Sequence, residues 1–201
     1  MIDINIILNA VGEHLFLAYS ALFISIILAI PLAIISLYNH YLASILLVLA
    51  NLVQAIPSFA VVAIVVPLLG IGFKPAIFAI ILRIILPLFK NTFTGLKDVD
   101  FIYIDSARGI GLNKMEILRY IRFPHAFPAI FAGIKFSAVI ANSVAILTSL
   151  IGAGGLGELI FEGLTNFNIP KVLTGAIPAM IIAILLDVSF SLIEKRISLE
   201  N

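Results

Sequence analysis

The sequence predicts an all-α, polytopic membrane protein with about five transmembrane helices and one folded polar loop on the cytoplasmic side. Three observations carry this prediction. Of 201 residues, 62% are hydrophobic and 11% charged, with a mean hydropathy of +1.22, and so few polar side chains do not cover the outside of a soluble domain. Apolar runs of crossing length recur along the chain, and none alternates with period two as a lipid-facing barrel strand does. The one long polar interval, 97–124, is the densest in charge and has no Ser/Gly or low-complexity tract, so it reads as a folded connection. At roughly 20 residues per crossing the chain is a single transmembrane domain over 1–201, with no room for a soluble catalytic domain.

The spans are expected at about 15–37, 42–69, 76–96, 127–151 and 172–193. The opening MIDINIILNAVGEH has acids but no Lys or Arg, so it lacks the basic region of a cleaved leader and the first span should stay. In the second span, Gln54, Pro57 and Ser58 place side-chain polarity and a freed carbonyl near mid-membrane; lining a water-filled pathway and ordinary helix packing both fit. The third span carries Arg83 and the fifth Asp187. Their depths differ by roughly 12 Å at 1.5 Å rise per residue, so separate partners are expected: Glu158 or Glu162 for Arg83, and Lys135 or the last-turn basic residues for Asp187. In the fourth span, Gly133, Ser137, Ala141, Ala145 and Ser149 recur at steps of four, a stripe suited to close helix approach. Asn142 and Thr148 lie off that stripe and are further candidates for lining a pathway.

Charge placement sets the orientation. Lys90, Lys97, Arg108, Lys114, Arg119, Arg122 and Lys135 flank or fill the polar interval, and Lys195 and Arg196 follow the fifth span, against only Lys74 and Lys171 on the other side. The interval and the C-terminus are therefore expected in the cytoplasm, with the N-terminus and the loop bearing Glu158 and Glu162 outside. No internal repeat is evident, which counts against repeat-built secondary transporters. A formal net charge of +1 points to no nucleic-acid partner. His14, His40 and His125 are scattered without ligand spacing in a chain with no cysteine, so no metal site and no catalytic residue are expected.

Within VDFIYIDSARGIGLNKMEILRYIRFPHAFPAI the pattern predicts two short helices around a glycine turn. Asp98 or Asp100 caps the first, Gly109 and Gly111 supply positive φ at its end, and Asn113 with Glu116 forms a capping box for the second. Met115, Ile117, Leu118 and Ile121 make an apolar face, and Pro124 is expected to stop the helix. Physical chemistry alone leaves two readings open, a helix resting on anionic lipid and a helix read by a protein partner.

The order Asp105, Ser106, Ala107, then Gly111, then Ile121 and Pro124 resembles the cytoplasmic EAA loop of ABC importer permeases, with Asp105 for Glu, Ser106 for Ala and Phe123 for Leu. LVQAIPSFA, PLFKNTFTGL, LIGAGGLGELIFEGL and GAIPAMIIAILLD are similar to segments of the permeases of glycine betaine, carnitine and choline importers, so the resemblance covers nearly the whole chain. It implies a type I ABC importer permease fold in a bacterial cytoplasmic (inner) membrane. It also implies a coupling loop at about 97–124, including Gly109, that docks on cytoplasmic ATPase subunits. ATP and Mg would be bound by that ATPase, since this chain has no Walker A sequence. Two permease copies, or one copy and a homologue, would form the pathway, an extracytoplasmic binding protein would deliver a quaternary-ammonium osmoprotectant, and lipid would surround the assembly.

GAGGLG, with Gly152, Gly154, Gly155 and Gly157, formally satisfies G-x-G-x-x-G, but a transmembrane helix and not a strand precedes it. It reads as a flexible external turn or gate loop, as the resemblance also implies. The alternatives are a permease for methionine or another amino acid, a proton-coupled carrier resting on Asp187, and a membrane anchor. The anchor leaves spans interrupted by Pro31, Pro57, Pro67, Pro87 and Pro178 without a purpose. Quaternary amines are commonly held by cation–π attraction, and this chain has no Trp; in the family the aromatic cage sits on the binding protein.

Overall fold

The computed structural model describes residues 4–199, which form helices joined by short turns, with no strand among them. Helix α1 (Ile4–Ser36) starts well before the expected first span: its 33 residues extend about 50 Å, more than a bilayer core. After the turn at Tyr38, Asn39 caps α2 (His40–Ala55) by accepting the Leu42 amide at 3.1 Å. The expected second span is two helices, since α2 and α3 (Ser58–Leu69) meet at 104° around Ile56 and Pro57. Helix α4 (Phe73–Lys97) returns across the membrane.

The polar interval holds α5 (Phe101–Gly109) and α6 (Lys114–Ile117). Pro124 does not stop the second helix. A π-helical turn, Leu118–Arg122, joins α6 to α7 (Phe123–Thr148), and the Phe123 amide bonds the Leu118 carbonyl five residues back. The wider turn takes up the residue that cannot donate, so the helical run continues from Lys114 to Ile151. Of the two glycines expected at positive φ, Gly111 adopts it (φ 89°), whereas Gly109 is the last residue of α5. A single 3₁₀ turn, Ser149–Ile151, ends the fourth crossing. Where the sequence suggested an external loop bearing Glu158 and Glu162, residues 156–165 form α8 (Leu156–Thr165), too short to cross, before the final span α9 (Ile169–Leu199).

The core is the seam among α1, α4 and α7, where Leu17, Ala21, Ile80, Ile84, Ala141 and Ala145 are buried together. The small-residue stripe of α7 makes this approach close: a Cβ on Gly133 would lie 2.8 Å from the Asn91 Cβ of α4, and the Ser137 hydroxyl donates to the Ile84 carbonyl at 3.4 Å. The helix ends sort into two groups. Glu13, the Gly70–Gly72 turn and 151–155 meet at one end, where the Gly72 amide donates to the Ile151 carbonyl at 2.6 Å and the Gly155 amide to Glu13. At the other end, the Tyr38 hydroxyl donates to the Lys114 carbonyl at 3.4 Å. Successive crossings therefore alternate as the charge pattern requires. Helix α9 is the least buried span and presents nearly all of its surface outward.

Candidate functional site

Three irregular places hold most of the predicted site residues: the loop 98–113, the break at Pro57 and the glycine segment 152–157.

The loop is built around a small core of its own. Ile104 and Ala107 of α5 pack against Ile117 of α6, with Val99, Leu112 and Ile121 alongside. Asp100 caps α5 by accepting the Ile102 amide at 2.9 Å. Asn113 and Glu116 make the reciprocal capping box, the Asn113 side chain accepting the Met115 and Glu116 amides while Glu116 accepts the Asn113 amide at 2.7 Å. Between them, the Gly111 amide donates to Arg108 and the Leu112 amide to the Ala107 carbonyl at 3.0 Å, the six-to-one closure that needs a residue at positive φ. Gly111 thereby fixes the direction in which Asp105–Ala107 is presented. Ala107 faces inward, while Asp105 and Ser106 point to the outside. Around them stands an apolar rim, with Ile110 80% exposed and Phe101, Ile102 and Met115 also open.

The root of the loop is fastened to the bundle from both sides. Arg122 donates to the Leu96 carbonyl at the end of α4. The Ile121 carbonyl accepts from His125 Nδ1 at 2.7 Å, and the Tyr103 ring of α5 lies 4.7 Å from the His125 ring. Leu118 joins Leu96, Ala126 and Ile130 in one buried cluster.

At the second place, Pro57 cannot donate to the Val53 carbonyl four residues earlier. Arg83 of α4 replaces that donor: its Nη1 reaches the Val53 carbonyl at 2.7 Å and its Nε donates to the Ser58 hydroxyl at 3.1 Å, while the Gln54 amide donates back to the Arg83 carbonyl at 3.4 Å. This corrects the expectation that Arg83 pairs with an external acid. Glu162 is paired instead with Lys171, and a helix-breaking proline at Arg83's depth offers the cation carbonyl and hydroxyl oxygens without a long reach. Gln54, Pro57 and Ser58 are thus brought together at one site. Beside them runs a groove of about 400 Å³ lined by Asn51, Gln54, Lys90, Asn91 and Thr94, with Phe136 at its edge. Sequence reasoning missed Asn51, Asn91 and Thr94 and used Lys90 only for orientation. The signal was present, since Arg83, Pro87, Lys90, Asn91 and Thr94 recur at steps of three and four along one face of α4.

Asn142 and Thr148 are not on this groove. Both are buried: the Asn142 amide oxygen accepts from His14 Nε2 at 2.9 Å, and the Thr148 hydroxyl donates to the Ala145 carbonyl at 2.9 Å. Asp187 meets Lys135 at 3.4 Å, and Ser191 and Glu194 share the same ammonium. This cluster ties α7 to α9 on the outer face, away from the groove.

The third place, the glycine segment, has Gly152, Gly154 and Gly155 at φ 77°, 76° and 78°, and Gly157 is buried where the Ile146 carbonyl leaves no space for a side chain. Its neighbours are the carboxylates of Glu13 and Glu158, and it follows a helix. Carboxylates repel a pyrophosphate, so the glycine spacing does not make a dinucleotide site here.

Residues 21–199 match the family described as binding-protein-dependent transport system inner membrane component. The chain is 37% identical over 192 residues to the glycine betaine/carnitine/choline transport system permease protein OpuCB of Bacillus subtilis, covering 96% of this chain and 88% of that one. It is 36% identical over 186 residues to the carnitine transport permease protein OpuCB of Listeria monocytogenes, covering 92% and 85%. Among solved structures, the fold is similar to the MetNI methionine ABC transporter in inward-facing conformations, with a TM-score of 0.83, 17% identity, and 96% of each chain covered. The match across nearly all spans, together with the loop and the interrupted second crossing, makes this chain a member of the binding-protein-dependent transport system inner membrane component family.

Proposed function

We propose that this chain is the permease subunit of an ATP-driven importer for quaternary-ammonium osmoprotectants such as glycine betaine, carnitine and choline. The single observation that carries the mechanism is the loop 98–113. An exposed carboxylate at Asp105, ringed by exposed apolar side chains and aimed by Gly111, offers a surface for a protein partner, and its root is fixed to α4 and α7 together. The partner is a cytoplasmic ATPase that holds ATP and Mg; this chain binds no cofactor and carries no catalytic residue. Closing of two ATPase subunits moves the loop, and the movement reaches the bundle through its fixed root.

The groove along α2 and α4 faces the pathway. A row of Asn51, Gln54, Lys90, Asn91 and Thr94 on the outside of an apolar bundle is costly against lipid, so a second permease copy or a homologue covers it and water fills the space between. Residues 152–157 form the gate at the external end, where an extracytoplasmic binding protein delivers substrate. The loop and the C-terminus lie in the cytoplasm and the N-terminus outside, following the basic residues. The substrate class rests on the relatives' names.

The test is uptake of labelled glycine betaine by vesicles containing the permease, its ATPase and its binding protein. Asp105→Lys places an unmatched cation on the docking surface and should abolish both ATPase pull-down and uptake at unchanged permease levels. Normal pull-down and uptake in this variant refute the docking role. Uptake of methionine in place of glycine betaine moves the assignment to an amino-acid importer.

A further inference from the structure

We propose that Glu13 is a positioning residue for the external gate, holding the glycine segment 152–157 against α1 so that the gate keeps one conformation until the transport cycle displaces it. The inference rests on the reading of that segment as a gate. Three glycines at positive φ make the segment conformationally permissive, and such a chain needs something outside itself to hold it. That hold comes from one turn of α1. Glu13 accepts the Gly155 amide at 2.9 Å, at the residue that opens α8, where a carboxylate also meets the positive end of the helix.

The surrounding space is shaped to this contact. A Cβ on Gly154 would come within 2.5 Å of the same Glu13 oxygen, and one on Gly155 would lie 3.3 Å from the His14 Cα. The turn of α1 is itself anchored. His14 is fully buried and its Nε2 donates to Asn142 of α7, the helix that leads into the segment. Glu13 and His14 thus join α1, the fourth crossing and the N-cap of α8. With His14 pinned to α7, the Glu13 bond is the side-chain hydrogen bond that an outward swing of the segment must break, beside the burial of Ala153 and Leu156. Glu13 is exposed and Gly155 needs only an acceptor, so the bond can be removed without opening the core.

The experiment uses the assembled transporter in vesicles and the absence of native cysteine. Ala153→Cys places a thiol on a buried position of the segment, and Asn166→Cys places one on the exposed turn after α8 as a control. Glu13→Ala should speed labelling of position 153 by an impermeant thiol reagent about ten-fold, the population change that loss of one charge-assisted hydrogen bond produces, with no change at 166. Glu13→Gln keeps an acceptor and should restore most of the protection. Substrate moved per ATP hydrolysed should fall in Glu13→Ala and recover in Glu13→Gln. Unchanged labelling at 153 in Glu13→Ala overturns the proposal, because the segment is then held by its own turn bonds. Faster labelling with unchanged substrate per ATP shows that the contact exists but the segment is no gate, which removes the gate reading and Glu13's transport role with it.

Discussion

Arg83 stands in for the amide that Pro57 lacks, and a double-mutant cycle measures this directly. Pro57→Ala returns an N–H four residues after Val53, so the Val53 carbonyl regains its helical partner. Arg83→Met removes the guanidinium and keeps most of the apolar stem. With proline at 57, that change loses a charge-assisted bond at 2.7 Å and leaves the Val53 carbonyl with only the Ile56 amide at 3.3 Å. Arg83 is half-buried, which places the cost in the lower half of the usual range for such bonds, about 2 kcal/mol. With alanine at 57 the carbonyl has its own partner, and the same change should cost about 0.5 kcal/mol. Loss of the Ser58 bond cancels as long as the break persists in the Pro57→Ala background. The expected coupling is about 1.5 kcal/mol, several times the scatter of independent sites. Unfolding of the purified permease in mixed micelles, followed by circular dichroism, reads each corner of the cycle. Equal costs of Arg83→Met in the two backgrounds, to within about 0.5 kcal/mol, would falsify the substitution of arginine for the missing amide. Uptake assays on the same variants add a functional reading. Pro57→Ala favours a straight second crossing, so it should lower transport even where it leaves stability unchanged.

Three further outcomes are expected. Gly111→Val forces a β-branched residue to φ 89° at a cost of about 1 to 3 kcal/mol confined to the loop, so ATPase pull-down should fail while membrane insertion persists; intact pull-down refutes the role of the turn. Single cysteines at Asn113 and Asn166 should differ in intact cells, with only Asn166 reached by an impermeant thiol reagent, and labelling at Asn113 would reverse the orientation. Lys135→Met leaves Asp187 and Glu194 without their shared cation, so folded yield should fall while uptake by the folded protein persists; abolished uptake at normal protein levels would bring this cluster back into the transport pathway.

Much of the fold was legible because hydropathy and charge placement act on whole segments. The capping box at Asn113 and Glu116 and the positive φ at Gly111 follow from residue types at fixed spacing, and the Lys135–Asp187 pair is one of the two partners that depth allowed for Asp187; each is present. The departures share one physical cause. Pro57 and Pro124 look alike in a single sequence, each a residue that cannot donate inside an apolar run. Yet the first breaks its helix by 104° and the second is absorbed in a π turn. What differs is the neighbour: Arg83 satisfies the carbonyl freed at the break, whereas the bonds that root the loop, Arg122 to Leu96 and His125 to Ile121, hold the chain in line through Pro124. Asn142 turned inward for a similar reason, since its partner His14 lies 128 residues away. Periodicity does not register a contact at that distance.

These irregular places have one feature in common. Three backbone groups without a regular helical partner are met by a side chain from a different part of the bundle: the Val53 carbonyl at the proline break by Arg83, the Leu96 carbonyl in the last turn of α4 by Arg122, and the Gly155 amide by Glu13. A released group tied to a distant helix cannot move alone, because moving it leaves a polar atom unsatisfied in apolar surroundings. Two of the three ties end on α4. Arg83 lies near its middle and Leu96 at its C-terminal end, and α4 also packs along α1 and α7 through the buried core. A displacement of the loop 98–113 therefore reaches α4 at Leu96, and through Arg83 it reaches the break between α2 and α3. The polar groove lies along α4 between those two points, on the face that carries Arg83. In the proposed transport cycle, the helix that would receive motion from the ATPase side is thus the helix that shapes the groove, which would make α4, and not the loop alone, the element through which nucleotide closure alters the pathway.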